Sequence, residues 1–162
     1  MSSEIKFEVV PFGEVPGRDS AAQSLVLIVD DERNIADTLS IILSRNGFAT
    51  MTAYDGVTAL ESARTIPPDI VISDVAMPGM SGVQLAIRLT QVVPECKIIL
   101  FSGQASTVDL LEKARQDGYY FNTLTKPVHP KEMLRHVSEC LAGRPVSSDF
   151  AMGLCPSPYL YH

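Results

Sequence analysis

The chain has 162 residues, 46% hydrophobic and 20% charged, which suits one globular domain with room for tails. Its formal net charge of -6 supplies no clustered basic face for a nucleic-acid backbone, so direct DNA binding is not expected of it. No apolar stretch approaches the ~20 residues that span a bilayer, and Glu4, Lys6 and Glu8 interrupt any signal-peptide core. Cys96, Cys140 and Cys155 are too scattered for a disulfide framework or a paired-thiolate metal site, so a soluble, cytoplasmic protein without membrane contact is expected.

Residues 1–24 read as an N-terminal extension, broken by Pro11, Gly13, Pro16 and Gly17 and ending in the linker Ser20 to Ser24. Ile5, Phe7 and Val9 alternate with Lys6 and Glu8, the period of a short edge strand, although a partly ordered tail is the preferred reading. From Leu25 strand and helix alternate: strand Leu25–Val29, helix Arg33–Asn46, strand Phe48–Ala53, helix Val57–Thr65, strand Ile70–Ser73 and helix Val83–Val92. The alternation continues with strand Lys97–Phe101, helix Val108–Asp117, strand Tyr119–Leu124 and helix Pro130–Leu141. Gly47 and Gly118 fall where helices want a left-handed cap, Ser106 with Asp109 resembles a capping box, and Pro130 suits a first helical position. Ile35, Leu39, Ile42 and Leu43 form one apolar helix face and Met133, Val137 and Leu141 another, both read as core. A domain over 25–142 is expected, with a C-terminal tail over 143–162 whose Tyr159, Leu160 and Tyr161 fray.

Short continuous apolar runs read as buried parallel strands, and ligands of open α/β sheets bind just beyond such strands' carboxyl ends. Four runs here end on polar groups: Asp30 with Asp31, Asp74, Ser102 and Lys126. If the first and third strands are neighbours, the three carboxylates lie close together; at ~4 Å and an effective dielectric of about 20, each pair costs on the order of 4 kcal/mol. The cluster therefore needs a cation or raised pKa values. An all-oxygen, water-exposed acidic site suits Mg²⁺ accompanied by a phosphate oxygen. An aspartate can then hold a phosphoryl group as an acyl phosphate, with Lys126 and Ser102 supplying an ammonium and a hydroxyl. Singly, an Asp at a strand end is more often a helix cap and a Lys before Pro is usually solvated; only the set carries the reading. His129, His136 and His162 lack a ligand constellation, and Glu132 with His136 reads as a solvated pair. The first strand runs into Asp30-Asp31-Glu32 with no glycine-rich loop, which disfavours nucleotide binding.

Asp30-Asp31-Glu32, then Asp74-Val75-Ala76-Met77-Pro78-Gly79-Met80-Ser81-Gly82, then Ser102-Gly103, then Lys126-Pro127 together resemble the receiver domain of bacterial response regulators, over about residues 24–142. The resemblance implies a flavodoxin-like α/β fold, a doubly wound five-stranded parallel sheet of order 2-1-3-4-5 flanked by five helices. It implies Asp74 as phosphoacceptor and as one of the Mg²⁺ ligands, with Asp30 and Asp31 binding the ion directly or through water and the backbone carbonyl of Ala76 as a further ligand. Lys126 would pair with the phosphoryl oxygens, and Ser102 would bond them only after phosphorylation, drawing in the loop from Gly103 to Ser106. Pro78 and Gly82 would shape the loop after Asp74, and Pro127 would be cis, aiming Lys126 inward. Gln104 is the side chain near the site able to position water, since Ala76 cannot; Gln104→Ala is expected to change dephosphorylation more than phosphate uptake.

Members of the family usually carry Tyr or Phe three residues before the lysine, where this chain has Thr123, and the segment from Gly118 to Lys126 is one residue longer than the common spacing. A bulge would restore Phe121 or Tyr120 to the signalling face; otherwise the output surface is remodelled around an intact phosphorylation site. The expected partners are a histidine kinase or phosphotransfer protein as donor and a downstream protein as target, with no output domain recognised after Ala142. A homodimer through the fourth and fifth helices is a further option that Thr123 makes less safe. A degenerate receiver used only for docking is one alternative. A Mg²⁺-dependent phosphatase of the haloacid dehalogenase type is another, disfavoured because Glu32 and Ala76 stand where a second Asp belongs.

Overall fold

A computed structural model describes residues 24–103 and 105–143. The N-terminal extension with its Ile5–Val9 pattern, Gln104 and the tail from 144 onward lie outside the described residues. Strands β1 (Leu25–Val29), β2 (Ala49–Ala53), β3 (Ile70–Asp74), β4 (Lys97–Ser102) and β5 (Asn122–Thr125) alternate with helices α1 (Arg33–Arg45), α2 (Gly56–Thr65), α3 (Gly82–Val92), α4 (Ser106–Gln116) and α5 (Pro130–Leu141). The strands form one parallel sheet of order β2-β1-β3-β4-β5, so the topological switch point lies between β1 and β3.

Burial on both faces explains the continuous apolar runs. In β1, Leu27 and Val29 face a cluster with Ala59, Leu60 and Ala63 of α2, Leu85, Ala86 and Leu89 of α3, and Ala114 of α4. Val26 and Ile28 face the other cluster, with Ala36 and Leu43 of α1 and Met133, Val137 and Cys140 of α5. Helices α2, α3 and α4 thus cover one face and α1 and α5 the other.

Both glycine stops are real: Gly47 and Gly118 have φ of 96° and 95°. Each closes a paired cap: Phe48 N–H bonds Leu43 O and Gly47 N–H bonds Ser44 O, while Tyr119 N–H bonds Ala114 O and Gly118 N–H bonds Arg115 O. The second cap corrects the expected strand start at Tyr119, because that amide belongs to the end of α4 and β5 begins only at Asn122. Tyr119 and Phe121 instead stack, with centroids 6.2 Å apart, against the α2–α4 side of the core. Of the two alternatives for this segment, a bulge is not seen within β5, since β4 and β5 pair continuously from Ile99↔Asn122 to Ser102↔Thr125 and Thr123 is exposed. The expected capping box of Ser106 with Asp109 rests on the Ser106 side chain, which lies outside what is described; α4 starts from Ala105, itself helical in conformation and without a side-chain cap bond.

Two N-caps were not anticipated. Asp55 accepts from Thr58 N–H at the start of α2, and Ser81 with Gln84 forms a full capping box at α3, the S-x-x-Q signature standing plainly in the sequence. Pro130 opens α5 as expected, with His129 Nδ1 accepting from Lys131 N–H. His136 is not solvated: it is 1% exposed, on the same α5 stripe as Met133, Val137 and Cys140, with Nε2 3.8 Å from the half-exposed Glu132. The i, i+3, i+4 spacing that buries Met133 carries His136 and Val137 inward with it.

Candidate functional site

Register alone brings the polar strand ends together. Val29 lies opposite Ser73, so Asp30 is level with Asp74; Asp74 lies opposite Phe101 and Ser102 opposite Thr125, so Ser102 follows one residue and Lys126 two residues further along. Carboxylate oxygens of Asp30, Asp31 and Asp74 all lie within 4.8 Å of one another. Asp30 is 1% exposed and Asp74 9%, while Asp31 is open to water. Lys126 Nζ reaches between them, 3.3 Å from Asp74 and 3.5 Å from Asp30. Asp30 Oδ1 also accepts from Glu32 N–H at 2.9 Å, which anchors the turn into α1.

Burial raises the pKa of Asp74 above the ordinary carboxylate value; Lys126 pulls it back down, the neighbouring Asp30 pushes it up, and the Ala76 N–H bonds the charged form. For Lys126 burial favours the neutral amine, yet Asp30 and Asp74 outweigh it and the pKa is raised, keeping the ammonium charged. Three hard oxygen donors, one reachable from water and jointly more negative than one ammonium neutralises, fit Mg²⁺. The set does not suit a soft or nitrogen-seeking metal, since no Cys or His joins it among the described residues.

Glycines give the site its room. A Cβ on Gly82 would collide with the Asp74 carbonyl oxygen and lie 2.9 Å from Val75 Cα, because Gly82 N–H folds back onto Val75 O. A Cβ on Gly103 would meet Lys126 Cβ at 3.1 Å, so this residue leaves the lysine stem space to cross toward Asp74. The Lys126–Pro127 peptide is cis, as the resemblance implies.

Of the expected site residues, Asp30, Asp31, Asp74 and Lys126 come together, with Ala76 and Gly103 beside them. Ser102 is differently engaged: its Oγ is 2.6 Å from Thr107 Oγ1, and Thr107, at the start of α4, is 1% exposed. Sequence reasoning missed Thr107, because a lone threonine in a helix carries no signal. Thr123 stands away from the cluster on exposed β5, and an apolar hollow of about 390 Å³ lined by Ile35, Leu39, Phe101, Lys126, Pro127 and Val128 opens next to the lysine.

The family model described as response regulator receiver domain matches residues 26–138. The DNA-binding response regulator MtrA of Mycobacterium tuberculosis is 34% identical over 117 residues, covering 69% of this chain and 48% of MtrA. The transcriptional regulatory protein CreB of Escherichia coli is 33% identical over 118 residues, covering 72% of this chain and 50% of CreB. The chain therefore spans about half the length of these curated relatives. Among solved structures, the signal receiver domain of an HD domain-containing protein from Pseudomonas fluorescens is similar at a TM-score of 0.68 and 29% identity, covering 74% of this chain and 95% of that one. The chemotaxis protein CheY4 of Vibrio cholerae is similar at 0.63 and 28%, covering 73% and 98%. The same doubly wound order, the acidic strand ends and the matched span agree, and this chain belongs to the response regulator receiver domain family of two-component signalling.

Proposed function

We propose that Asp74 is the phosphoacceptor of this receiver and that the chain is a signalling switch, not an enzyme acting on an external substrate. The observation that carries this reading is the placement of a buried carboxylate with raised pKa between two further carboxylates and an ammonium 3.3 Å away. An Asp74 carboxylate oxygen attacks the phosphorus of a phosphohistidine on the donor; the O–P bond forms, the P–N bond breaks, and the imidazole leaves with its electron pair. Lys126 holds a phosphoryl oxygen. Asp30, Asp31 and Asp74, helped by the Ala76 carbonyl, would hold Mg²⁺, which when bound would supply positive charge against the carboxylates and the transferred group.

The apolar hollow beside Lys126, walled by Ile35, Leu39, Pro127 and Val128, supports docking of a donor helix from a histidine kinase or phosphotransfer protein on the α1 side. On the α4 side Val108, Leu110 and Tyr120 are exposed, which supports a downstream protein or a second copy as the partner there. The DNA contact in the name of MtrA belongs to that longer protein; the net charge of -6 favours a protein target for this chain.

Incubation with acetyl phosphate and Mg²⁺, followed by intact mass measurement, tests the reading. One phosphoryl adduct on the wild type, absent from Asp74→Asn, is expected; no adduct removes it in favour of a docking module, and sustained turnover of acetyl phosphate would point to a phosphatase.

A further inference from the structure

Ser102 sits one residue beyond the Asp74–Phe101 pair, close enough in the sheet to serve a phosphoryl group on Asp74. Its hydroxyl is nevertheless engaged elsewhere, with Thr107 Oγ1 at 2.6 Å, the short end of the O–H···O range. Thr107 is 1% exposed, so its side of this part-buried hydroxyl pair is shielded from water that would otherwise replace Ser102. The helix it enters, α4, starts from Ala105 with no side-chain cap bond of its own, which makes Ser102–Thr107 a side-chain tie between the end of β4 and the first turn of α4.

We infer that Thr107 is a positioning residue that latches Ser102 in the resting state, so that phosphorylation of Asp74 draws the Ser102 hydroxyl off Thr107 and releases the first turn of α4. The inference rests on Asp74 being the phosphoacceptor. In this chain the exposed Thr123 leaves β5 without an aromatic at that position to register the movement. Breaking the tie therefore passes the change to α4 directly, next to the exposed Val108 and Leu110.

Beryllofluoride with Mg²⁺, which mimics the phosphoryl group on a carboxylate, provides the test through its binding constant measured by fluorine NMR. Thr107→Val keeps the shape and removes the hydroxyl; it is expected to tighten beryllofluoride binding by about three- to tenfold, the range of one hydrogen bond. Thr107→Ser, which keeps the hydroxyl, should return binding toward the wild-type constant, and Thr107→Val should give no gain when Ser102 is already alanine. Thr107→Ala repeats the test with a different shape should the valine variant fold poorly. Unchanged or weaker binding in the hydroxyl-free variants, or a gain that survives Ser102→Ala, overturns the latch while leaving the phosphoacceptor in place. A wild type that binds no beryllofluoride overturns both.

Discussion

Replacing Asp74 by asparagine removes a charge while keeping the shape, and the site geometry fixes the sign of the resulting stability change. Carboxylate oxygens within 4.8 Å repel by about 3 kcal/mol per pair at an effective dielectric of ~20. The attraction between Lys126 and Asp74 across 3.3 Å is about 5 kcal/mol on the same scale. Water screens the exposed Asp31 more than the buried Asp30, so relief of the two repulsions and loss of the attraction nearly cancel. What remains is the cost of burying the Asp74 charge, the leading cause of its raised pKa. The asparagine variant should therefore be more stable than the wild type in EDTA, by on the order of 1 kcal/mol, about 4 °C in Tm for a domain of this size. Mg²⁺ should reverse the order: a ligand at 100 times its Kd stabilises by about 2.7 kcal/mol, and the variant lacks the charge needed to bind it well.

The pH dependence comes from the same group. A carboxyl whose folded pKa is raised adds stability fully present below its unfolded value of 3.8, which is lost as pH rises through the folded pKa. The variant's advantage in EDTA should accordingly be largest near neutrality and shrink as pH falls. Thermal unfolding measured by far-UV circular dichroism, with EDTA or Mg²⁺ at several pH values, reads all of this. A variant less stable than the wild type in EDTA, or one stabilised by Mg²⁺ as much as the wild type, would refute the charge argument.

Two further predictions concern the frame around the site. Gly82→Ala would press a methyl group into the Asp74 backbone, a contact no side-chain rotation relieves, and should cost about 2–3 kcal/mol in urea unfolding and weaken beryllofluoride binding; a cost below about 0.5 kcal/mol would show that the loop yields freely. Cys96, whose thiol burial pushes up to about 12 with Asp69 adding to the rise, should resist iodoacetamide at pH 8 in the folded protein and react only on unfolding; rapid native alkylation would contradict that environment.

The sheet and the acidic cluster were legible in the sequence for one physical reason. Parallel strands buried on both faces must be short apolar runs, and parallel strands in register bring their ends to one edge, so Asp30, Asp74 and Lys126 could be placed without knowing any side-chain contact. Tyr119 misled because aromatic residues favour strands, whereas its amide was claimed by the end of α4, a competition settled only in three dimensions. His136 misled because pairing with Glu132 on one helix suggests an exposed salt bridge, while its spacing from Met133 and Cys140 placed it inward. The Ser102–Thr107 contact was not readable, since two hydroxyls five residues apart, one ending β4 and one starting α4, are paired only in three dimensions.

With Asp74 as the proposed phosphoacceptor, charge would link the capture of a phosphoryl group to its readout. Three carboxylates and one ammonium leave the resting site with an excess of negative charge that one divalent cation can balance. Converting Asp74 to an acyl phosphate replaces a single charge by about two, and Lys126 already holds Asp30 as well as Asp74. The added oxygens need another donor, and the sheet register puts the hydroxyl of Ser102, which rests on Thr107, one residue beyond Asp74. Either hydroxyl of the Ser102–Thr107 pair can be the donor: where Ser102 donates, giving its proton to the phosphoryl group withdraws it from Thr107, and where Thr107 donates, Ser102 turns its own proton to the phosphoryl group while Thr107 follows its oxygen. On the proposed latch, loosening this contact frees the first turn of α4, and with Thr123 in place of an aromatic that turn is where a charge imbalance at a phosphorylated Asp74 would become a change of surface.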